Sequence, residues 1–417
     1  MINDIIAKKE SGQNLNMAEI EEAVMGFVNG EISKEVMSKF IKAVYVKGMN
    51  EEETYFLTDV MTRSGDILSF ENEEGVFVDK HSTGGVSDST TIILLPIIAL
   101  SGLKFLKMSG RKLGHTGGTI DKVEQFKGFK TDISLEKAKK IVNKIGACEL
   151  SQTLDLAPAD KVIYKLRDET GYIDSLPLIS SSIMSKKLAC GTDIIVLDVK
   201  CGNGAFMKTE EDAIKLANSM FSIGKLAGKK VVAVVTDMNQ PLGQNVGSLM
   251  ETIEAIEVLE AKEGRLLDTT KVLAKYIISK GLNISLEEAE IKVDEYITSG
   301  KAIKKLKQIV KAQGGSVKLF KQSYRNKIYS KKYDVISEKS GYLTHINCEK
   351  LGFFVRDYCA NGGNGMKVFV SLNSYVKKGD VIASFYGDAC QFKTSEMFTI
   401  EEKPNENNIK LVYKIVE

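Results

Sequence analysis

Apolar residues recur at spacings of three and four through the first sixty-odd positions: Ile20, Val24, Phe27 and Val28; then Val36, Met37, Phe40, Ile41 and Val44; then Phe56, Leu57, Val60 and Met61. Such stripes predict three amphipathic helices, and Asn50 with Glu53 has the spacing of a capping box at the third. From Gly75 the texture changes to short β-branched or apolar runs at 76–78, 105–108, 194–197 and 231–235, separated by glycine-rich turns, with helical stretches at 135–145 and 211–227 between them. That alternation predicts an α/β domain with a mostly parallel sheet, whose ligands would sit beyond the carboxyl ends of the strands. A second helical patch at 158–189 reads either as a local elaboration or as a return to the first helical unit. Beyond Ser337 the pattern is short strands, at 341–343 and 368–370, and a turn at Lys377-Lys378-Gly379-Asp380, which predicts a small, mostly β terminal domain.

A chain of 417 residues exceeds what one core usually serves, so two or three domains are expected. At 43% hydrophobic and 27% charged, the composition excludes fibrous and disordered classes. The longest apolar stretch, 92–100, is interrupted by Pro96 and falls short of the roughly 20 residues that span a bilayer. With no basic segment followed by an apolar one at the start, a cytoplasmic location and no membrane partner are expected. The six cysteines form no C-x-x-C pair and there are three histidines, His81, His115 and His345, which argues against a redox motif or a transition-metal centre. A net charge of +2 lacks the field of a nucleic-acid binder. The one basic run, 301–332, places Ile303, Leu306, Ile309 and Val310 at helical spacing and so reads as a solvated face.

Candidate chemistry lies in glycine loops. Asp79 to Thr91 follows a strand and offers Lys80, Ser82, Thr83, Gly84 and Gly85 ahead of an apolar run; glycines admit close backbone approach, hydroxyls donate, and a helix start favours an anion. A phosphate cradle and a plain strand-to-helix turn both fit. Lys107 to Thr119 repeats the theme with Ser109, Gly110, Gly114, Gly117 and Gly118, so two cationic loops from neighbouring strands would converge on one anion. Neither is a Walker or a Rossmann fingerprint. A third loop, 198–206, reads as a structural turn. Ser182 and Lys186 are four apart and share a helix face, but with Arg167 they would on pattern alone be surface residues.

Taken together, Lys80-His81-Ser82-Thr83-Gly84-Gly85, Ser109-Gly110-Arg111 with Leu113-Gly114-His115-Thr116-Gly117-Gly118-Thr119, Pro158-Ala159-Asp160-Lys161, Leu166-Arg167-Asp168, Ser181-Ser182-Ile183-Met184-Ser185-Lys186-Lys187 and Gly204-Ala205-Phe206-Met207-Lys208 resemble the signature of the thymidine and pyrimidine-nucleoside phosphorylase family, over about residues 1–315. The resemblance implies an α/β and α+β multidomain fold: a small all-helical domain (1–66 and 157–190) that binds the base and dimerises, a large α/β phosphate domain (67–156 and 191–332) and a small C-terminal α+β domain (333–417). It implies a homodimer that splits uridine, thymidine or deoxyuridine with inorganic phosphate as co-substrate and no organic cofactor. Lys80, Ser82, Thr91, Lys107, Ser109 and Thr119 would bind phosphate; Arg167, Ser182 and Lys186 would grip the pyrimidine and act catalytically with His81, the expected proton donor to the base. A potassium ion would fall at Ser87, Ser89, Leu242, Asn245 and Glu254. Two glycines of the family pattern are replaced, by Ser87 and by Lys112, and 355–365 fits it poorly. Rival readings are a thymidine-specific phosphorylase, a protein like anthranilate phosphoribosyltransferase and a member turned to binding or regulation; retention of Arg167, Ser182 and Lys186 favours a phosphorylase over the last two. Because Arg167 and Lys186 are donors, cytidine, with an amino group where uracil has a carbonyl, is disfavoured.

Overall fold

The computed structural model describes residues 1–417 apart from 113, 152–155, 389–391 and 407–408, so Leu113 of the second loop and Cys390 lie outside the described residues. The first unit has four helices, not three: α1 (Ile2–Glu10), α2 (Met17–Val28), α3 (Lys34–Lys47) and α4 (Glu51–Arg63). Helix α1 escaped the pattern because it buries only Ile5 and Ile6 with a charged residue, Lys9. That lysine lies 2.7 Å from the buried Glu53, which also closes the Asn50 capping box of α4.

Strands β1 (Val78–Ser82), β2 (Phe105–Ser109) and β3 (Ala147–Ser151) come next, with helices α5 (Thr90–Leu100), α6 (Thr119–Val123) and α7 (Leu135–Ile145) between them. The 92–100 run forms most of α5, whose residues Thr90 to Ala99 are all buried, as a helix apolar all round must be. Helices α8 (Pro158–Thr170) and α9 (Leu176–Ala189) then return to the first unit: Ala159, Ile163, Leu166 and Leu178 join Ile20, Phe40, Leu57 and Met61 in one core. The chain crosses back through β4 (Ile194–Cys201), α10 (Glu210–Leu226) and β5 (Lys230–Asp237), followed by α11 (Ser248–Leu259) and α12 (Arg265–Leu282).

Strands β1, β4 and β5 pair in parallel, as do β2 and β3, and a parallel bridge between Phe77 and Lys104 joins the two pairs, giving the order β3-β2-β1-β4-β5. The order reverses between β1 and β4, so their carboxyl ends open the crevice in which such sheets hold ligands.

The C-terminal region contains two small antiparallel sheets and the helix Cys348–Ala360. It is not self-contained over 333–417. Strand Val412–Val416 pairs antiparallel with β5, and Asn245–Val246 pairs into the C-terminal sheet. An edge as apolar as β5, with its unpaired backbone groups, is satisfied by adding a strand, and the chain end supplies it. No described helix is long and apolar enough to cross a membrane.

Candidate active site

The first loop is built around a carboxylate that its glycines do not advertise. Asp88 accepts hydrogen bonds from Ser82 Oγ (2.7 Å) and from Thr90 Oγ1 (2.6 Å) and N (3.2 Å), which folds the loop onto the start of α5. Burial opposes its charge, but Lys200, Lys80 and Lys122 hold the Asp88 carboxyl well below the usual range. Thr83 clips the loop to β4: its N–H donates to Asp198 O (3.0 Å) and its hydroxyl accepts from Lys200 N (2.9 Å). Lys80 Nζ donates to Thr90 Oγ1 (2.7 Å) and lies 3.3 Å from Asp198 Oδ2; Lys200 Nζ lies 2.8 Å from the same oxygen. Two buried ammonium groups thus face two buried carboxylates under the loop.

A second charged layer joins the sheet to the helical unit. Asp79 sits between Lys187 of α9 (2.9 Å) and Lys107 of β2 (3.6 Å), and the Lys107 ammonium also donates to Met108 O. Lys107 is paired in register with Glu149 on β3. Burial pushes the Glu149 carboxyl up to about 7, against the pull of Lys107, while burial lowers Lys107 against the pull of Asp79. Lys80 and Ser82 lie at the middle and end of β1, Lys107 and Ser109 at the middle and end of the neighbouring β2, and Thr91 and Thr119 in the first turns of α5 and α6, where helix dipoles add positive field. Gly118 is needed here for close approach: a Cβ would lie 2.3 Å from the Arg111 carbonyl carbon. Lys112 instead points outward, with its N–H donating to Asp121 Oδ2 (2.7 Å).

In the helical unit, Lys186 Nζ donates to Ser182 Oγ (3.1 Å) and pairs with Asp160 Oδ2, so the face shared by Ser182 and Lys186 also contains a carboxylate from α8. Arg167 is 2% exposed, and its Nε, Nη1 and Nη2 donate to the carbonyls of Tyr172, Leu178 and Ile173. Three of the five N–H groups of the guanidinium therefore brace the α8–α9 turn, leaving two for a ligand.

The surroundings of His81, the expected proton donor to the base, disfavour a charged ring. Enclosure of the ring first, then Lys187, Lys107, Lys80 and Lys186, hold its imidazole well below the ordinary titration range. A lowered titration point favours the neutral ring, which can donate one N–H. Since the unfolded chain takes up this proton below about pH 6.5 and the native state does not, stability contributed at neutral pH is lost on acidification. The kcat/KM profile is expected to lack an imidazole limb between about pH 6 and 8. An acid limb there that disappears in His81→Asn would restore the imidazolium role.

The potassium positions do come together, but they do not fit the ion. Ser87 is at φ +60°, the strained conformation expected where glycine is usual, and its hydroxyl donates to Asn245 O (2.5 Å). Ser89 Oγ donates to Glu251 O (3.1 Å), and Leu242 N donates to Val86 O (3.1 Å). Glu254 accepts from Gln244 N (2.9 Å), Asn245 N (2.8 Å) and Lys262 Nζ (2.8 Å). The carboxylate already has a cation. Among the described residues, no cluster of three or more His, Cys, Asp or Glu could hold a metal, and the five described cysteines are free.

The poorly fitting 355–365 segment lies largely in the helix Cys348–Ala360, which packs on the second loop: Arg356 Nη1 donates to Gly114 O (3.2 Å), and the His115 ring lies between Phe206 and Phe353 while meeting Gly204 O at 2.9 Å. Sequence reasoning missed Asp79, Asp88, Glu149, Lys187, Asp198 and Lys200. The available signal was Asp198 and Lys200 in a strand otherwise apolar and wholly buried, since charged residues are rarely buried without partners.

Comparison with known proteins agrees with this geometry. Residues 74–303 match the glycosyl transferase family α/β domain and residues 3–65 its helical bundle domain. A Staphylococcus haemolyticus pyrimidine-nucleoside phosphorylase is 46% identical over 75% of this chain and 73% of its own, and one from Staphylococcus epidermidis is 39% identical over 99% of both. The fold also matches anthranilate phosphoribosyltransferase from Thermus thermophilus, with TM-score 0.61, 17% identity, and 74% of this chain and 99% of that one covered. With the helical bundle, the α/β domain and the converging loops all accounted for, the chain belongs to this glycosyl transferase family and, within it, to the pyrimidine-nucleoside phosphorylases.

Proposed function

We propose that the enzyme cleaves pyrimidine nucleosides reversibly with inorganic phosphate, releasing the free base and ribose or deoxyribose 1-phosphate. The observation that carries the reading is Asp79 on β1, which lies 3.6 Å from Lys107 of the second phosphate-loop strand and 2.9 Å from Lys187 of α9, next to Lys186. That bridge supports a reading in which oxyanion-binding cations of the sheet and base-binding cations of the helical unit serve one site. Phosphate held by Lys80, Ser82, Thr91, Lys107, Ser109 and Thr119 attacks the anomeric carbon as negative charge grows on the departing pyrimidine. Lys186, Ser182 and the free N–H groups of Arg167 stabilise that charge, and neutral His81 donates a hydrogen bond to a base carbonyl. Approach of the two walls completes the site. The homodimer belongs to the same reading, supported by Tyr45, Val46, Val162, Tyr164 and Ile173, large apolar side chains left exposed on the helical unit. A cytoplasmic location is also part of it.

The test is release of uracil or thymine from uridine, thymidine and deoxyuridine with and without phosphate. Release is expected only with phosphate, together with sugar 1-phosphate. Folded protein that releases no base from any of the three, or releases it equally without phosphate, rejects the reading.

A further inference from the structure

The charge centre beside the first loop is an ammonium group of the chain itself. Glu254, 2% exposed, anchors the 244–245 backbone through hydrogen bonds from Gln244 N and Asn245 N. Asn245 O in turn receives the Ser87 hydroxyl, and Ser87 O receives Gly243 N (3.2 Å). Ser87 is the residue before Asp88, around which the phosphate loop folds. A continuous path thus runs from Glu254 to the loop, and it needs one positive charge to make the buried carboxylate tolerable. Lys262 supplies it at 2.8 Å from Oε1, while lying 3.6 Å from Glu257 Oε2. The backbone fills the space between the carboxylate and the hydroxyl: a Cβ on Gly243 would lie 2.3 Å from Glu254 Oε2 and 2.7 Å from Ser87 Oγ. The side-chain oxygen of Asn245 is buried without a hydrogen-bond partner, and one neutral oxygen does not make a cation cage.

We propose that Lys262, acting through Glu254 and helped by the Ser87 hydroxyl, positions the phosphate loop in place of a bound potassium ion, so that phosphate use in this enzyme is independent of potassium. Lys262 is a positioning residue; it reaches the loop only through Glu254 and the 244–245 backbone. Gln240, Gly243, Gln244, Glu254, Lys262 and Arg265 line a cleft, which gives an ion access to Glu254 once the lysine is removed.

The kinetic arm rests on the phosphorolysis reading, so phosphate binding by calorimetry and thermal melting are measured beside it. Each is run in potassium chloride and in choline chloride at equal ionic strength. For the natural protein, phosphate KM, phosphate affinity and Tm should agree between the two salts within about twofold or its equivalent. Lys262→Met in choline should lose roughly tenfold or more in phosphate affinity and regain most of it in potassium, because an ion can then enter beside Glu254. Lys262→Arg should behave as the natural protein in both salts. Potassium-specific stabilisation of the natural protein overturns the proposal. So does a Lys262→Met variant whose phosphate affinity in choline is unchanged, or lost without recovery in potassium. Should Lys262→Met fail to fold in choline, folding restored by potassium supports the proposal and failure in both salts contradicts it. Absence of base release with salt-independent phosphate binding would instead refute the proposed function and leave this inference standing.

Discussion

Replacing Lys80 by methionine is expected to raise the phosphate KM by about 10²-fold or more, the scale on which removing one member of a buried, hydrogen-bonded charge pair weakens binding. Lys80 and Lys200 together face Asp88 and Asp198, all four buried. Without Lys80, two carboxylates face one ammonium and the loop presents net negative charge to an anion. The hydrogen bond to Thr90 Oγ1, at the first residue of α5, goes as well, loosening the helix start that should receive the phosphate. Folding should also weaken, by about 3–5 kcal/mol, because the carboxylates stay buried. Phosphate titration at saturating nucleoside, on variant shown by melting to be folded, separates the effects. Unchanged phosphate saturation would remove Lys80 from the cradle.

Lys186→Ala is expected to lose on the order of 10²-fold in nucleoside kcat/KM, the size of losing one strong transition-state donor. The structure adds a second reason. Lys186 neutralises Asp160, so its removal leaves a carboxylate facing a base on which negative charge is growing. Lys186→Arg should recover part of the loss by keeping the charge, while Lys186→Ala should leave phosphate affinity near normal. Near-normal nucleoside turnover in Lys186→Ala would take the base-binding role away from α9. Arg167→Ala is a poorer test, since its guanidinium also holds three backbone carbonyls of the α8–α9 turn and its loss would disturb the turn itself.

Helices α2 to α4, strands β1, β2, β4 and β5 and the two glycine-rich loops could be read from periodicity and from residues whose local chemistry repeats along the chain, whereas β3 was not read. The Asn50 and Glu53 cap is local in the same sense, and so is the four-residue spacing that puts Ser182 beside Lys186. Helix α1 was not legible, because part of its burial is an ion pair between Lys9 and Glu53, 44 positions apart. The environment of His81 was hidden for a related reason: its ordinary titration point is a property of the residue, but the enclosure that lowers it, and after that Lys187, Lys107, Lys80 and Lys186, are set by the fold.

The sequence by itself determined most of the helices and strands that flank the two loops, where hydroxyls, glycines and cations lie along each loop, and the family to which the motifs point. Tertiary structure alone decided how charge is distributed. It placed Asp79 between Lys107 and Lys187, set Asp198 against Lys80 and Lys200, put Lys262 on Glu254, and sent the last strand back to the edge of β5. The physical reason is range. Hydrophobic periodicity and capping act between residues a few positions apart, whereas a buried charge is stabilised by whichever partner the fold brings within a few ångströms, and nothing local to either residue specifies which one that is.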